Sequence, residues 1–443
     1  MFTNSDLKKL IIPLVIEQIL VMTVGMADTM MVSHAGETAM SGVALVDMID
    51  YLIITIFAAL AAGGAVIVSQ YLGAKQTDGA KTTSEQLILL SFLLSVLVMA
   101  VCLVFHNGIL NLLFGKIERD VMSACVKYFV ITSFSFPFLG VYNACAALFR
   151  SMGETKVTMY VSALMNVINI TGNAIGIFAL KAGVAGVAVP TFISRAVAAV
   201  IMLILLLVKK YEIRPKFKTM LRLNKRSAAN ILRIAIPNGL ENGFFALGRV
   251  LVTGVVSMFG TAQIAANGTA NSIDQVAVMV VNAINLAMIT VVGKCIGAGE
   301  VEQSKRYTKK LMKISYISTA ALGILIIAAL PLILRLYELS AEAYRYSIIL
   351  ISMHNILAML LHPTSFNLAN SLRAAGDVQF TMIVGICSML IFRLGSAILF
   401  GEVFSLGVIG VWIAMGMDWM VRSVAFTIRY RSGKWKQMRV IKN

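Results

Sequence analysis

Asp28 is the residue best placed to do chemistry. It lies within Val24-Gly-Met-Ala-Asp28-Thr-Met-Met-Val-Ser33, in the middle of a long apolar stretch. No Lys or Arg stands within a helical turn of it. A carboxylate at that depth costs roughly 2.5–3.5 kcal/mol on insertion scales. Unpaired, it takes up a proton or a cation. The plainer reading is a carboxyl neutralised by hydrogen bonds inside a helix bundle, with no further role. Asn166, Asn169 and Asn173 form the second cluster. Their i, i+3, i+7 spacing puts three amides on one helical face. Amide oxygens can complete a cation shell or hold a protonated carboxyl; amides also hydrogen-bond neighbouring helices with no other purpose.

The remaining polar groups are more ambiguous. Glu17 and Glu241 each follow a proline by four residues, one turn inside a span, where an acid can reach the interface. Arg249 lies deeper and needs a counter-charge, with Asp274, Glu241 or Asp418 as the candidates; Asp418 already has Arg422 at i+4. Asp47 and Asp50 are expected near the outer boundary of the second span. His362 can titrate or simply make a hydrogen bond. Met22, Met26, Met30 and Met31 cluster near Asp28. Flexible thioethers suit promiscuous binding, and are equally ordinary filler. Glu241, Arg249, Asp274, Glu17 and Met31 are therefore expected around a central cavity or its gate.

The elements that must position these groups are transmembrane helices. The 443 residues are 59% hydrophobic and 13% charged, against about 25% charged in soluble domains. Candidate spans cover 10–33, 47–71, 86–106, 124–148, 156–180 and 183–208, then 230–257, 271–294, 310–334, 344–370, 379–400 and 405–428. That makes an all-α membrane protein of twelve spans, six per repeat. The repeat is visible directly: shifted by 224 positions, Pro13 meets Pro237, Glu17 meets Glu241, Gly36 meets Gly260 and Asp50 meets Asp274. Shifted by 223, Arg150 meets Arg373 and Gly153 meets Gly376. Paired repeats around a central site characterise transporters. Domains are expected at 1–208 and 229–443, joined by a basic linker over 209–228.

The net charge of +17 does not point to nucleic acid, because the basic residues sit between spans, where they set topology. They crowd the linker (Lys209, Lys210, Arg214, Lys216, Lys218), the loop after span eight and the tail (Arg429, Arg431, Lys434, Lys436, Arg439, Lys442). The opposite stretches, 34–46 and 258–270, hold no Lys or Arg. Both termini are therefore expected in the cytoplasm. No GxxxxGK[ST] loop is present, so ATP is not expected as the energy source. Five scattered cysteines read as small core residues.

Asp28-Thr-Met-Met-Val-Ser-His-Ala-Gly36 resembles the first-helix signature of the multidrug and toxin extrusion family. Ser69-Gln-Tyr-Leu-Gly-Ala74, Asn166-Val-Ile-Asn169-Ile-Thr-Gly-Asn173 and Gly186-Val-Ala-Val-Pro-Thr191-Phe-Ile-Ser194 are similar to its helices two, five and six. The resemblance implies two six-helix lobes in a V and antiport of organic, often cationic, compounds against sodium or protons. It implies Asp28 as the cation-coupling aspartate, with Asn169 and Thr191 beside it. Asn173 stands where some members carry a second aspartate. A NorM-like second site needs an acid in helix ten, where this chain reads His362-Pro-Thr-Ser-Phe-Asn367. The expected setting is the inner or plasma membrane, with a monomer, a small organic substrate and no cofactor beyond H+ or Na+. Protons are preferred and sodium is kept open. The alternatives are a lipid-linked saccharide flippase of the same superfamily, or a membrane-embedded enzyme or scaffold.

Overall fold

The computed structural model describes residues 1–115, 117–208, 211–337 and 339–441. Lys209, Lys210 and Lys442, counted among the basic clusters above, lie outside the described residues. The first repeat comprises α1 (Asn4–Ser33), α2 (Glu37–Gly73), α3 (Thr77–Phe114), α4 (Arg119–Ser133), α5 (Phe136–Met152), α6 (Thr155–Ala174) and α7 (Ala185–Val208). A short helix, α8 (Phe217–Met220), follows. The second repeat comprises α9 (Lys225–Val256), α10 (Thr261–Gly297), α11 (Val301–Leu334), α12 (Ala341–Ala375), α13 (Val378–Cys387), α14 (Ser396–Ile398) and α15 (Gly407–Ser432). Among the described residues eleven helices are long and apolar enough to cross a membrane, and twelve when the bent pair α4 and α5 is taken as one span. No strand occurs among them. The chain divides into two compact units, Phe2–Ile236 and Pro237–Asn443 with Met1.

Local sequence explains the ends of the elements. Thr3 and Asp6 close a capping box on α1: Asp6 N–H donates to Thr3 Oγ1 at 3.2 Å, and Thr3 N–H donates to Asp6 Oδ2 at 2.8 Å. The helix then runs unbroken through Pro13. The predicted fourth span is not one helix. It bends by 49° between α4 and α5. Pro137 sits in the first turn of α5 and has no N–H to continue the ladder from α4. The helices α5 and α12 stop at Gly153 and Gly376, whose φ angles of 97° and 103° favour glycine. These two caps are repeat-related.

Several predicted spans start too late. The second was expected from 47, but α2 begins at Glu37, and the eighth, expected from 271, begins at Thr261. The stretches 34–46 and 258–270 are therefore mostly helix. Gly36 and Gly260, at φ 101° and 92°, make the tight turns that allow this. The linker is not free either. Lys216 N–H and Thr219 Oγ1 donate to Glu85 Oε1 of α3 at 2.9 and 2.7 Å. Asn224 N–H donates to Gln86 Oε1 at 2.9 Å.

Within the first unit α1 packs on α6, α6 on α7, and α5 between α2, α3 and α7. In the second, α12 occupies the place of α5, between α10, α11 and α15. Small residues set the closest approach. A Cβ on Gly176 would lie 2.2 Å from the Gly186 carbonyl oxygen, and one on Gly172 would lie 2.6 Å from Pro190 Cβ. These contacts bring α6 and its asparagines against α7. We expect Gly176→Val to lower stability by about 1–3 kcal/mol through overpacking. Gly108→Ala, in open space, should raise it by roughly 0.5–1 kcal/mol. Thermal unfolding of the purified protein in detergent compares the two.

Candidate functional site

The first unit contains a cavity of about 250 Å³. Val24, Gly25, Asp28 and Thr29 of α1 form one wall, and Met40, Val43 and Asp47 of α2 another. Asn166 and Asn169 of α6, Thr191 and Arg195 of α7, and Tyr128 of α4 complete it. Asp28 is half-buried, with its carboxylate on this space.

A chain of hydrogen bonds holds Asp28. Asn173 Nδ2 donates to Asp28 Oδ1 at 2.7 Å and to Asn169 Oδ1 at 3.3 Å. Asn169 Nδ2 donates to Thr191 Oγ1 at 3.1 Å, and Thr191 Oγ1 donates to the Val187 carbonyl at 2.9 Å. Asn169, Asn173 and Thr191 are buried. The i, i+4 spacing stacks the two asparagines, and the glycine contacts of α6 on α7 bring Thr191 within reach. Just past Asn173 the helix widens into a π-turn over Ile175–Ala179, a distortion frequent at functional sites. Asn166 lines the cavity, but its Nδ2 makes no hydrogen bond.

Sequence reasoning missed part of this site. Asp47 and Asp50 were expected near the outer boundary. Because α2 starts at Glu37, Asp47 stands about 15 Å along the helix, at a rise of about 1.5 Å per residue. It faces Asp28's cavity and accepts from Tyr128 Oη at 3.2 Å. Asp50 is 3% exposed and lies 3.9 Å from Arg195, which donates to Ser135 Oγ at 2.8 Å. The available signal was the run Asp47-Met-Ile-Asp50 itself, whose i, i+3 spacing inside an apolar helix already places two acids together.

Other expected residues lie elsewhere. Glu17 is turned into the protein; it is 6% exposed and accepts from Thr158 Oγ1 at 2.8 Å. Met31 packs against the apolar core of the first lobe. Glu241 is buried against Arg373 at 2.6 Å and Arg422 at 3.8 Å. Asp274 lies 2.9 Å from His354, a partner that sequence reasoning overlooked. Asp418 pairs with Arg422 at 2.8 Å, as its i+4 spacing suggested, and with Ser388. None of the three acids comes within ion-pair distance of Arg249, which lines a separate small cavity of the second unit. His362 stacks on Phe366 at 4.3 Å and meets Trp419 edge-on.

The MatE family model matches residues 13–175 and again 237–399, two copies separated by the same 224 positions as the internal repeat. The chain belongs to the MatE family. Members are membrane transporters, and this one is a multi-pass membrane protein rather than an enzyme. It is 29% identical over 432 residues to the uncharacterized transporter YisQ of Bacillus subtilis, covering 96% of this chain and 93% of that protein. It is 26% identical over 445 residues to the probable multidrug resistance protein NorM of Thermotoga maritima, with 99% and 94% covered. In fold it matches an outward-facing multidrug resistance MATE transporter of the MOP superfamily at a TM-score of 0.91, with 21% identity over 98% of this chain and 96% of that one.

The hydrogen-bond chain makes a stability prediction for this MatE protein. Asn169→Ala leaves Thr191 and Asn173 short of a partner and should cost about 1 kcal/mol. Asn166→Ala removes an amide whose Nδ2 has no partner and should be close to neutral. Parallel thermal melts of the two variants give the difference directly.

Proposed function

We propose that this MatE transporter is a secondary antiporter that exports organic cations in exchange for protons, with Asp28 as the coupling group. The observation that carries the reading is a carboxylate that faces an open cavity while an amide chain holds it from behind. An amide carries both donors and an acceptor. Asn173 can therefore hold Asp28 as a carboxylate through Nδ2, and as a carboxylic acid through Oδ1. Proton and organic cation then compete for one negative charge. A proton arriving from outside neutralises Asp28 and weakens its hold on the bound cation; loss of that proton on the cytoplasmic side restores it. Such competition is the linkage that antiport requires.

The cavity wall supports a cationic substrate class. Asp28 and Asp47 face it with Arg195, and Arg195 is shared with buried Asp50. The apolar remainder, Val24, Val32, Val43, Met40 and Met165, suits varied hydrophobic bodies. Relatives described as probable multidrug resistance proteins favour export of more than one compound. The transporter would act as a monomer in the cell membrane, without ATP and with both termini in the cytoplasm.

Sodium is a second reading, favoured by one observation. Asn173 Oδ1 is buried beside Asp28 without a hydrogen-bond partner, and an oxygen there could ligate a hard cation.

Asp28→Asn keeps size and hydrogen bonding but deletes the charge. Export of a cationic dye from cells should fall at least tenfold, about 1.4 kcal/mol in the driving interaction, at normal expression. Undiminished export would remove the coupling role. For topology, a cysteine placed at Lys218 should resist an impermeant thiol reagent added to intact cells and react after permeabilisation. Rapid labelling in intact cells would reverse the orientation.

A further inference from the structure

The second unit repeats the cavity of the first with its polarity inverted. The two cavities are lined at corresponding positions 224 residues apart. Where the first has Asp28 and Asp47, the second has Val252 and Asn271. Where the first has Gly25, the second has Arg249, and Thr191 is replaced by Met415. The duplication has kept the place and exchanged two acids and a glycine for a valine, an amide and a guanidinium.

The charge of this second site is offset only at longer range, by Asp274, which interacts electrostatically with both Arg249 and Arg393. Glu241 is taken by Arg373 and Asp418 by Arg422, while Asp274 faces His354. Arg393, across the cavity, reaches only the far oxygen of Asp418 at 3.8 Å, and its Nε makes no hydrogen bond. No carboxylate among the described residues lies within ion-pair distance of Arg249. Further donors converge: Trp412 Nε1 donates to Asn267 Oδ1 at 2.9 Å, which occupies that oxygen and leaves the amide's N–H groups as donors. Arg249 is exposed on this cavity with no ion-pair partner among the described residues, so its charge is open to an anionic ligand. Its fork of N–H donors matches a carboxylate.

We propose that the second lobe binds the carboxylate of organic acids at Arg249 and Arg393. The space is about 50 Å³. That admits a carboxylate displacing a few waters but not a whole drug, so the rest of the molecule stays outside, while buried Trp412 and Met415 form the apolar part of the lining. The site rests on the substrate-handling role of these cavities. Binding is nevertheless measured without export, so it stands or falls separately from coupling at Asp28.

The test is calorimetric titration of the purified full-length protein, in isethionate buffer, with benzoate, benzamide and chloride. Benzoate should bind saturably, and benzamide should bind at least tenfold more weakly. Arg249→Gln should weaken benzoate at least tenfold, and Arg249→Lys, which keeps the charge but not the fork, should recover only part of that loss. Asn271→Asp restores the acid found at the matching position of the first lobe and should weaken benzoate similarly. Equal binding of benzamide, or unchanged benzoate binding in both Arg249→Gln and Asn271→Asp, overturns the proposal. So does chloride binding as tightly as benzoate, which would make this an inorganic-anion site.

Discussion

The first lobe is organised around one constraint: a carboxylate must be kept inside a helix bundle without an ion-pair partner of its own. Lipid cannot solvate it, so the protein has to. Asn173 does this directly, Asn169 orients Asn173, and Thr191 anchors Asn169 to the backbone of α7. That chain exists only because α6 and the π-turn after it touch α7 at Gly172, Gly176, Gly186 and Pro190, where larger side chains would hold the helices apart. Packing at the glycines and chemistry at Asp28 are thus one problem solved at two levels. The arrangement leaves one face of the carboxylate on the cavity, and an ion held on one side only can be exchanged.

The second lobe meets the same constraint differently. Its buried acids are matched inside the lobe by Arg373, Arg422 and His354. Those pairs fix helix positions: Arg422 also donates to the Gly385 carbonyl at 2.9 Å, and lies over the rings of Phe245 and Phe366. Ionic groups locked in this way are not free to exchange a cation. Val252, at the position equivalent to Asp28, removes the carboxylate altogether. Under the proposed coupling at Asp28, only one of two repeats that share one helical plan carries the exchanging acid.

Much of this was legible in the sequence. Twelve apolar stretches and the 224-residue shift required two six-helix lobes, because lipid permits nothing but helices for such segments. Asp28 and the asparagine face were readable because a charge or a stacked set of amides has few other reasons to sit in hydrocarbon. Helix starts were less legible. Glu37, Thr38 and Ser41 look like loop, yet they open α2, and that shift of ten residues moved Asp47 from a boundary to the cavity. Partners distant in sequence were the hardest. Nothing in the chain tells Asp274 to meet His354, or Glu241 to meet Arg373, since each match depends on which helix faces turn toward each other.

The most direct test of the account is whether an organic cation displaces a proton from Asp28. Purified protein would be titrated with tetraphenylphosphonium in weakly buffered, sodium-free solution containing a pH indicator. The account predicts acidification that rises with the fraction bound, and no acidification in Asp28→Asn. Saturable binding without proton release, or release that persists undiminished in the variant, would contradict it.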